Sequence, residues 1–448
     1  MTNDARQLAR QLLARHGAAA QAPAAAAQSP SSTPAPGGGG DSGTRRADLS
    51  RHPQVRAAQE IGAAVEAEFA AVGLTHPYFV PHSGISGATI ALRGREMVNF
   101  TGFNYLGLAG HPPVQAAAKH AIDVYGTSAS ASRTIGGEIP IYGEMERRLA
   151  RAYGVDEAVV TASGYLTNAG IIPFVVGSDD LAVCDALVHS SIVAGTRWAQ
   201  CRRMNFSHND PDSLDEVLLH RRGEFDRAMV ILEGVYSMDG DIARLPELVE
   251  VARRHDCLVM VDEAHSFGTI GARGFGVREF FDLPADAVDI WMGTLSKTLA
   301  SCGGYLAGSA ELMGAIRMLA PGLCLFTAPP TPAQIAAAAA AFDTLAAEPQ
   351  RLRRLRRNAE AVVAAVRGAG LDCGLSSGTP VVPIVLRDRH RTIAATAVLE
   401  RHGIYAGPII HPAIPDTESR IRLFVSADHT DQHIGLLARA LADVDASG

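Results

Sequence analysis

Through the middle of this chain, short runs of continuous apolar residues alternate with amphipathic ones. Six runs have the length of strands: AVVTAS (158–163), LAVCDA (181–186), AMVILEGV (228–235), CLVMVDEA (257–264), DIWMGTL (289–295) and GGYLAGS (303–309). Most are apolar throughout, as expected of strands covered on both faces. Segments of helical period lie between them, for example MERRLARAYG and LPELVEVARRH. This alternation predicts a mostly parallel sheet coated with helices. Ligands of such sheets sit at the carboxyl ends of the strands. The polar residues at those ends are therefore the first candidates for chemistry.

The flanks read differently. Residues 53–72 have a helical pattern, and 87–100 reads as a hairpin around Arg93-Gly94-Arg95-Glu96. Residues 331–370 read as one long helix. Its basic stretch RLRRLRR (351–357) suits a solvated face better than an anionic partner. The apolar runs at 381–386 and 421–427, with a helix near 391–403, predict a smaller C-terminal α+β lobe. Residues 1–16 have the pattern of a short helix. Residues 17–44 are rich in Ala, Pro, Gly and Ser and almost uncharged, the composition of a flexible linker. Tether and plain tail both fit it. The expected division is an extension (1–50), an arm with helix and hairpin (51–104), a large domain (105–335) and a small domain (336–448).

A chain of 448 residues suits two or three lobes, and 47% apolar with 19% charged residues supports a folded body. The net charge of −7 argues against a nucleic-acid partner. No run of about 18 apolar residues predicts a membrane span, and the first residues lack the apolar core of a secretory signal. The six cysteines show no CxxC spacing. They read as reduced thiols of a cytoplasmic protein, with neither a disulfide scaffold nor a metal site expected.

Three strand ends carry chemistry. Thr294 lies near the end of the run at 289–295, Ser296 and Lys297 follow it, and Gly303 and Gly304 come close behind. A lysine at a buried strand end either loses its charge or meets an anion, and a neutral lysine forms Schiff bases. An ordinary surface lysine is the plain alternative. Asp262, Glu263 and His265 end the run at 257–264. An aspartate there followed by a downstream lysine fits pyridoxal 5′-phosphate, whose ring nitrogen the aspartate keeps protonated; a helix cap is the plain alternative. Ser163 and Gly164 follow the run at 158–163 and open a helix, whose N–H groups suit a phosphate.

Together these stretches resemble the α-oxoamine synthases, fold-type I pyridoxal-phosphate enzymes that join an amino acid to an acyl thioester with loss of CO2. The resemblance runs from about 53 to 440. It includes FNYLGL (103–108), YGTSASASRTIGGE (125–138), ASGYLTN (162–168), DALVHSS (185–191), EGVYSMDGDIARL (233–245), VDEAHSFG (261–268), GTLSKTLAS (293–301) and RIRLFVSADHT (420–430). It implies an aspartate-aminotransferase-like α/β fold: a large domain with a mostly parallel seven-stranded sheet and a smaller C-terminal α+β domain. It implies pyridoxal phosphate as cofactor, held by Lys297 as a Schiff base. Asp262 would pair with the ring nitrogen, His189 would stack on the ring, and Ser237 and His265 would touch its phenolic oxygen. Ser163, Gly164 and Tyr165 would hold the phosphate with Thr294 and Ser296. Thr327 would reach the phosphate of a partner subunit in a homodimer. Arg422 would bind the amino-acid carboxylate, with Asn104 nearby.

The spellings at 81–108 and 125–150 look closest to members that work beside polyketide assembly lines. That look implies an acyl-carrier-protein thioester as donor, with acyl-CoA as the alternative. The small residues Ala129 and Ala131 hint at Gly, Ala or Ser as the amino acid. An aminotransferase on the same fold is a second reading. A non-catalytic partner subunit is a third, which the presence of Lys297, Asp262 and His189 disfavours.

Overall fold

The computed structural model describes residues 48–445. The expectations for 1–16 and 17–44 lie outside the described residues. The arm has the helix Pro53–Ala71 and three strands: β1 (His82–Ser83), β2 (Thr89–Leu92) and β3 (Arg95–Asn99). The hairpin of β2 and β3 turns on Arg93 and Gly94, both at positive φ (51° and 76°). Two positive-φ residues give a turn whose twist matches that of the strands.

The central sheet contains β4 (Glu157–Thr161), β5 (Leu181–Asp185), β6 (Arg202–Phe206), β7 (Ala228–Glu233), β8 (Leu258–Asp262), β9 (Ile290–Thr294) and β10 (Gly304–Gly308), in the order β4-β10-β9-β8-β7-β5-β6. It is parallel from β9 through β6, and β10 runs antiparallel to both its neighbours. Only residues 295–303 join β9 to β10. A parallel return needs a crossover of a dozen or more residues, so this short loop forces the reversal. The strand β6, RRMNF, is the one the apolar runs miss. It is an edge strand, and Arg202 and Arg203 are exposed. Alternate residues of the inner strands enter opposite cores. Val183, Val230 and Val259 pack with Leu248 and Trp291, whereas Ala182, Met229 and Met260 pack with Ile172 and Ile316. Burial on both faces is what the continuous apolar runs encode.

The segment 331–370 forms two helices, Pro332–Ala347 and Pro349–Gly368. Pro349 forces the break: the residue before a proline is excluded from helical geometry, and Glu348 sits at φ −121°, ψ 62°. The basic stretch opens the second helix and is largely satisfied within the chain. Arg351, Arg354 and Arg357 pair with Glu348, Asp428 and Asp431, and Arg356 donates to the Thr269 and Gly271 carbonyls. Downstream, β11 (Val381–Val385), β14 (Arg420–Phe424) and β13 (Gly407–Ile409) form an antiparallel sheet, while β12 (Ile404–Tyr405) joins β3 of the arm. Of the described residues, those from 60 onward form one compact unit. None of the described helices is long and apolar enough to cross a membrane.

Candidate active site

The carboxyl ends of β4, β5, β7, β8 and β9 surround a cavity of about 260 Å³. Its walls include Ser163, Gly164, Tyr165, His189, Ser237, Asp262, His265, Thr294, Ser296, Lys297 and Arg422, residues the sequence singled out. Asn104 lines an adjoining cavity of about 450 Å³, and Phe103, Ser296 and Lys297 belong to both. Thr327 lines neither, and its hydroxyl donates to the Ala328 carbonyl at 3.3 Å. Ala129 and Ala131 also line neither. Their loop is tied down elsewhere, by Arg133 bonded to Glu138 and Glu146.

Asp262 ends β8 beside Glu233 of β7, with which it is in register. Its Oδ2 accepts from Asn168 Nδ2 at 2.7 Å, and its Oδ1 from the Ala264 N–H at 2.9 Å. The same Asn168 amide donates to Ser191 Oγ at 2.9 Å, which lies 2.7 Å from His189 Nδ1. A hydrogen-bonded chain thus runs from Asp262 to His189. His189 also caps the helix Ser190–Ala199 through the Ser191 N–H. Burial holds its imidazole below the ordinary histidine range; Lys297 and Arg422 add to the fall and Asp262 opposes it. His265 is buried, its Nδ1 2.8 Å from the Tyr105 hydroxyl. Burial, together with Lys297 and Arg422, keeps it well below the histidine range, hence neutral.

Arg422 and Phe424 occupy one face of β14, two residues apart, and the guanidinium lies 4.6 Å from the ring centroid. Arg422 Nη1 donates to the Ser237 carbonyl at 2.8 Å, while its buried Nε has no hydrogen-bond partner among the described residues. Lys297 is half-buried, with Nζ 5.6 Å from the Phe103 ring centroid.

A model of the aminotransferase class I and II family matches residues 95–441. The 8-amino-7-oxononanoate synthase of Geobacter sulfurreducens is 38% identical over 364 residues, 81% of this chain and 92% of its own. The serine palmitoyltransferase of Sphingobacterium spiritivorum is 33% identical over 359 residues, 80% of this chain and 89% of its own. The solved serine palmitoyltransferase of Sphingomonas wittichii superposes with a TM-score of 0.82 at 28% identity, over 90% of this chain and 99% of its own. A serine palmitoyltransferase variant from S. paucimobilis, solved with a bound PLP–myriocin aldimine, does so with a TM-score of 0.82 at 29% identity and the same coverage. The chain belongs to the α-oxoamine synthase family.

As an α-oxoamine synthase it has the fold-type I architecture and depends on pyridoxal phosphate. The residues present fit that cofactor. Ser163 caps the helix Gly164–Val175 without a side-chain bond, which leaves the first-turn N–H groups to an anion. A Cβ at Gly164 would lie 2.9 Å from Thr294 Oγ1, so a side chain there would crowd the cradle. At the other end a buried carboxylate, Asp262, already carries the hydrogen bonds that hold it in place.

Sequence reasoning missed four contributors to this synthase's site. Phe103 sits where the two cavities meet. Asn168 and Tyr105 hold Asp262 and His265. Glu233 accepts the His189 N–H at 2.6 Å and the Ser237 N–H at 3.1 Å, tying two loops with one carboxylate. Burial, then Asp262, pushes that carboxyl well above the usual range. The only signal was a charged residue closing an apolar run.

Burial also pushes Lys297 down to about 8, against the pull of Asp262 and Glu233, with Arg422 adding to the fall. Schiff bases form from the neutral amine. Uptake of pyridoxal phosphate by the cofactor-free protein should therefore quicken roughly tenfold per pH unit below 8 and level off above it, as one titrating base requires. Stopped-flow absorbance checks this; a rate still climbing towards the ordinary lysine value near 10.4 would contradict it.

Proposed function

We propose that this chain condenses a small amino acid, glycine, alanine or serine, with an acyl thioester, releasing CO2 and giving an α-amino ketone. The observation that carries the reading is the meeting of two cavities at Lys297. One holds Asp262, His189 and Arg422; the other has an apolar wall from Val80, Ile90, Leu92 and Phe103. Two substrates thus approach one base from separate sides. The names of the relatives, a serine palmitoyltransferase among them, agree with an amino acid and an acyl group. For the donor we propose a carrier-protein thioester, on the spellings at 81–108 and 125–150; acyl-CoA is the alternative.

Bound pyridoxal phosphate supplies an aldehyde and an electron-accepting ring. The chain's residues do the rest. Gly164 and its neighbours bind the phosphate by N–H groups, with Thr294 and Ser296 beside them. Asp262 holds a proton on the ring nitrogen, and His189 covers the ring face. Ser237 and His265 orient the phenolic oxygen. Arg422 binds the amino-acid carboxylate through the edge that carries its unpartnered Nε. Lys297, neutral above about pH 8, takes the α-proton. Asn104 and the apolar wall seat the acyl group and exclude water. Residues 105–335 and 336–448 serve as large and small domains.

We further propose a homodimer with shared sites. Tyr165 and Leu166, on the helix that opens at the phosphate cradle, are 45% and 42% exposed, and Phe326, beside Thr327, is 83% exposed. Apolar side chains of this size beside an active site suit a second copy, in which Thr327 would reach the other cradle.

The test is an absorbance titration of dimer-sized, cofactor-loaded protein with glycine, alanine, serine and larger amino acids, with and without acylated carrier protein or acyl-CoA. The expected result is a spectral change with one small amino acid, then CO2 release once the thioester is added. Conversion of the amino acid to its keto acid without CO2 would replace this reading with an aminotransferase. Elution of the loaded protein at single-chain mass would remove the shared site.

A further inference from the structure

Behind the Ser237 turn lies a charged cluster that lines neither cavity. His208 Nδ1 is 2.8 Å from Asp185 Oδ1, and its Nε2 is 3.1 Å from Asp241 Oδ2. Both carboxylates are buried. The Tyr236 hydroxyl donates to Asp185 Oδ2 at 2.9 Å, and its ring meets the imidazole edge-on with centroids 4.4 Å apart. Asn209, at φ 54°, donates its N–H to Asp185 Oδ2 at 2.7 Å and its side-chain amide to Asp241 Oδ2 at 2.9 Å. Burial disfavours charge on His208, but its hydrogen bonds to Asp185 and Asp241 outweigh that and raise its pKa to about 10. At neutral pH His208 is therefore a cation between two carboxyl groups.

What the cluster joins gives it meaning. Asp185 ends β5, just before His189. Asp241 closes the turn that starts at Val235, bridged to Ile242, and carries Ser237. On its far side the turn is pinned to the C-terminal sheet. Arg420 Nη1 bonds Asp239 at 2.8 Å, and Thr379 Oγ1 donates to the Gly240 carbonyl at 2.6 Å. On the near side Asn209 and Tyr236 add neutral hydrogen bonds, to Asp185, Asp241 and the Ile242 carbonyl, and His208 is the charged anchor. Without it two buried carboxylates face each other with no cation between them, and like charges in a low-dielectric setting separate. The turn can then pivot on its Asp239 side, taking Ser237 and the carbonyl that receives Arg422 with it.

We propose that His208 is a positioning residue: by bridging Asp185 and Asp241 it fixes the turn 235–242 against the strand end that leads to His189, and so sets how firmly the Ser237 side of the site holds the cofactor. This rests on the placement of Ser237 beside pyridoxal phosphate given above.

The test compares wild-type holoenzyme with His208→Gln by equilibrium dialysis for pyridoxal phosphate and by hydrogen exchange. The expected result is cofactor binding weakened roughly tenfold, about what the net loss of one hydrogen bond causes, with faster exchange confined to about 234–242. Unchanged cofactor affinity overturns the proposal. So does faster exchange spread evenly over the central sheet, which would mark His208 as merely structural. Should His208→Gln fail to fold, Asp241→Asn keeps an acceptor for Nε2 while removing one charge, and should shift both readouts the same way by less; no shift in it also overturns the proposal. The amino-acid titration reads the condensation and this dialysis reads the clamp, so either can fail alone.

Discussion

Replacing Lys297 by alanine is expected to lower turnover on the order of 10⁴-fold, the upper range for a positioned proton-transfer group, while leaving the chain folded. The loss follows from position. Of the residues common to the two cavities Lys297 is the one that can take a proton near neutral pH, and its amine is pushed down to about 8 by burial rather than kept as a surface cation. The fold should survive because this side chain is only half-buried and builds no part of the apolar cores. Its removal does leave Glu233 beside Asp262 without the nearby cation, so the variant's melting temperature should fall slightly more at high pH, where the raised Glu233 carboxyl ionises. The decisive readout is retention of the cofactor. Borohydride should fix pyridoxal phosphate to the wild-type chain, and should fix none to Lys297→Ala, which should lose the cofactor on extended dialysis. Fixation in the variant would move the role to another lysine.

The fold was legible where burial is two-sided. The runs that became β5, β7 and β8 are apolar at nearly every position because both faces are covered, and their terminal residues Asp185, Glu233 and Asp262 stand out as charges closing apolar text. The same rule hides β6, whose exposed arginines guard a sheet edge. The break at Pro349 was missed: a proline within a helical pattern ends the helix before it, but the apolar period on either side ran through it and read as one helix. In the site, Lys297, Asp262, Arg422 and His189 lie in short strings of characteristic spelling. Asn168 lies four residues after Gly164 on the same helix, within one of those strings. What distinguishes it is that Asp262, 94 positions away, comes within 2.7 Å. Tyr105 reaches His265 in the same way, over 160 positions. Such partnerships exist only after folding, so spacing along one chain cannot point to them. Thr327 stands apart, because its expected role needs a second copy of the chain and one chain's geometry does not bear on it.

Asp262→Asn is expected to lower kcat on the order of 10³-fold, the upper range for removing one preorganised electrostatic group, with the cofactor still bound. The substitution keeps the shape, and a side-chain oxygen can still accept from Asn168. It removes the negative charge that would hold a proton on the ring nitrogen, which is what makes the ring an electron sink when the α-carbon loses its proton. A second effect separates this explanation from simple misplacement. Asp262 is the strongest of the groups that hold the Lys297 amine up against burial. Without it, Lys297 should fall further below 8, so the pH at which the cofactor-free variant takes up pyridoxal phosphate should move downward. Stopped-flow uptake measured against pH, run beside steady-state kinetics, reads both effects. A slow variant with an unmoved uptake profile would mean that Asp262 does not act on Lys297 by charge. A variant of unchanged kcat would take the ring nitrogen away from Asp262 altogether.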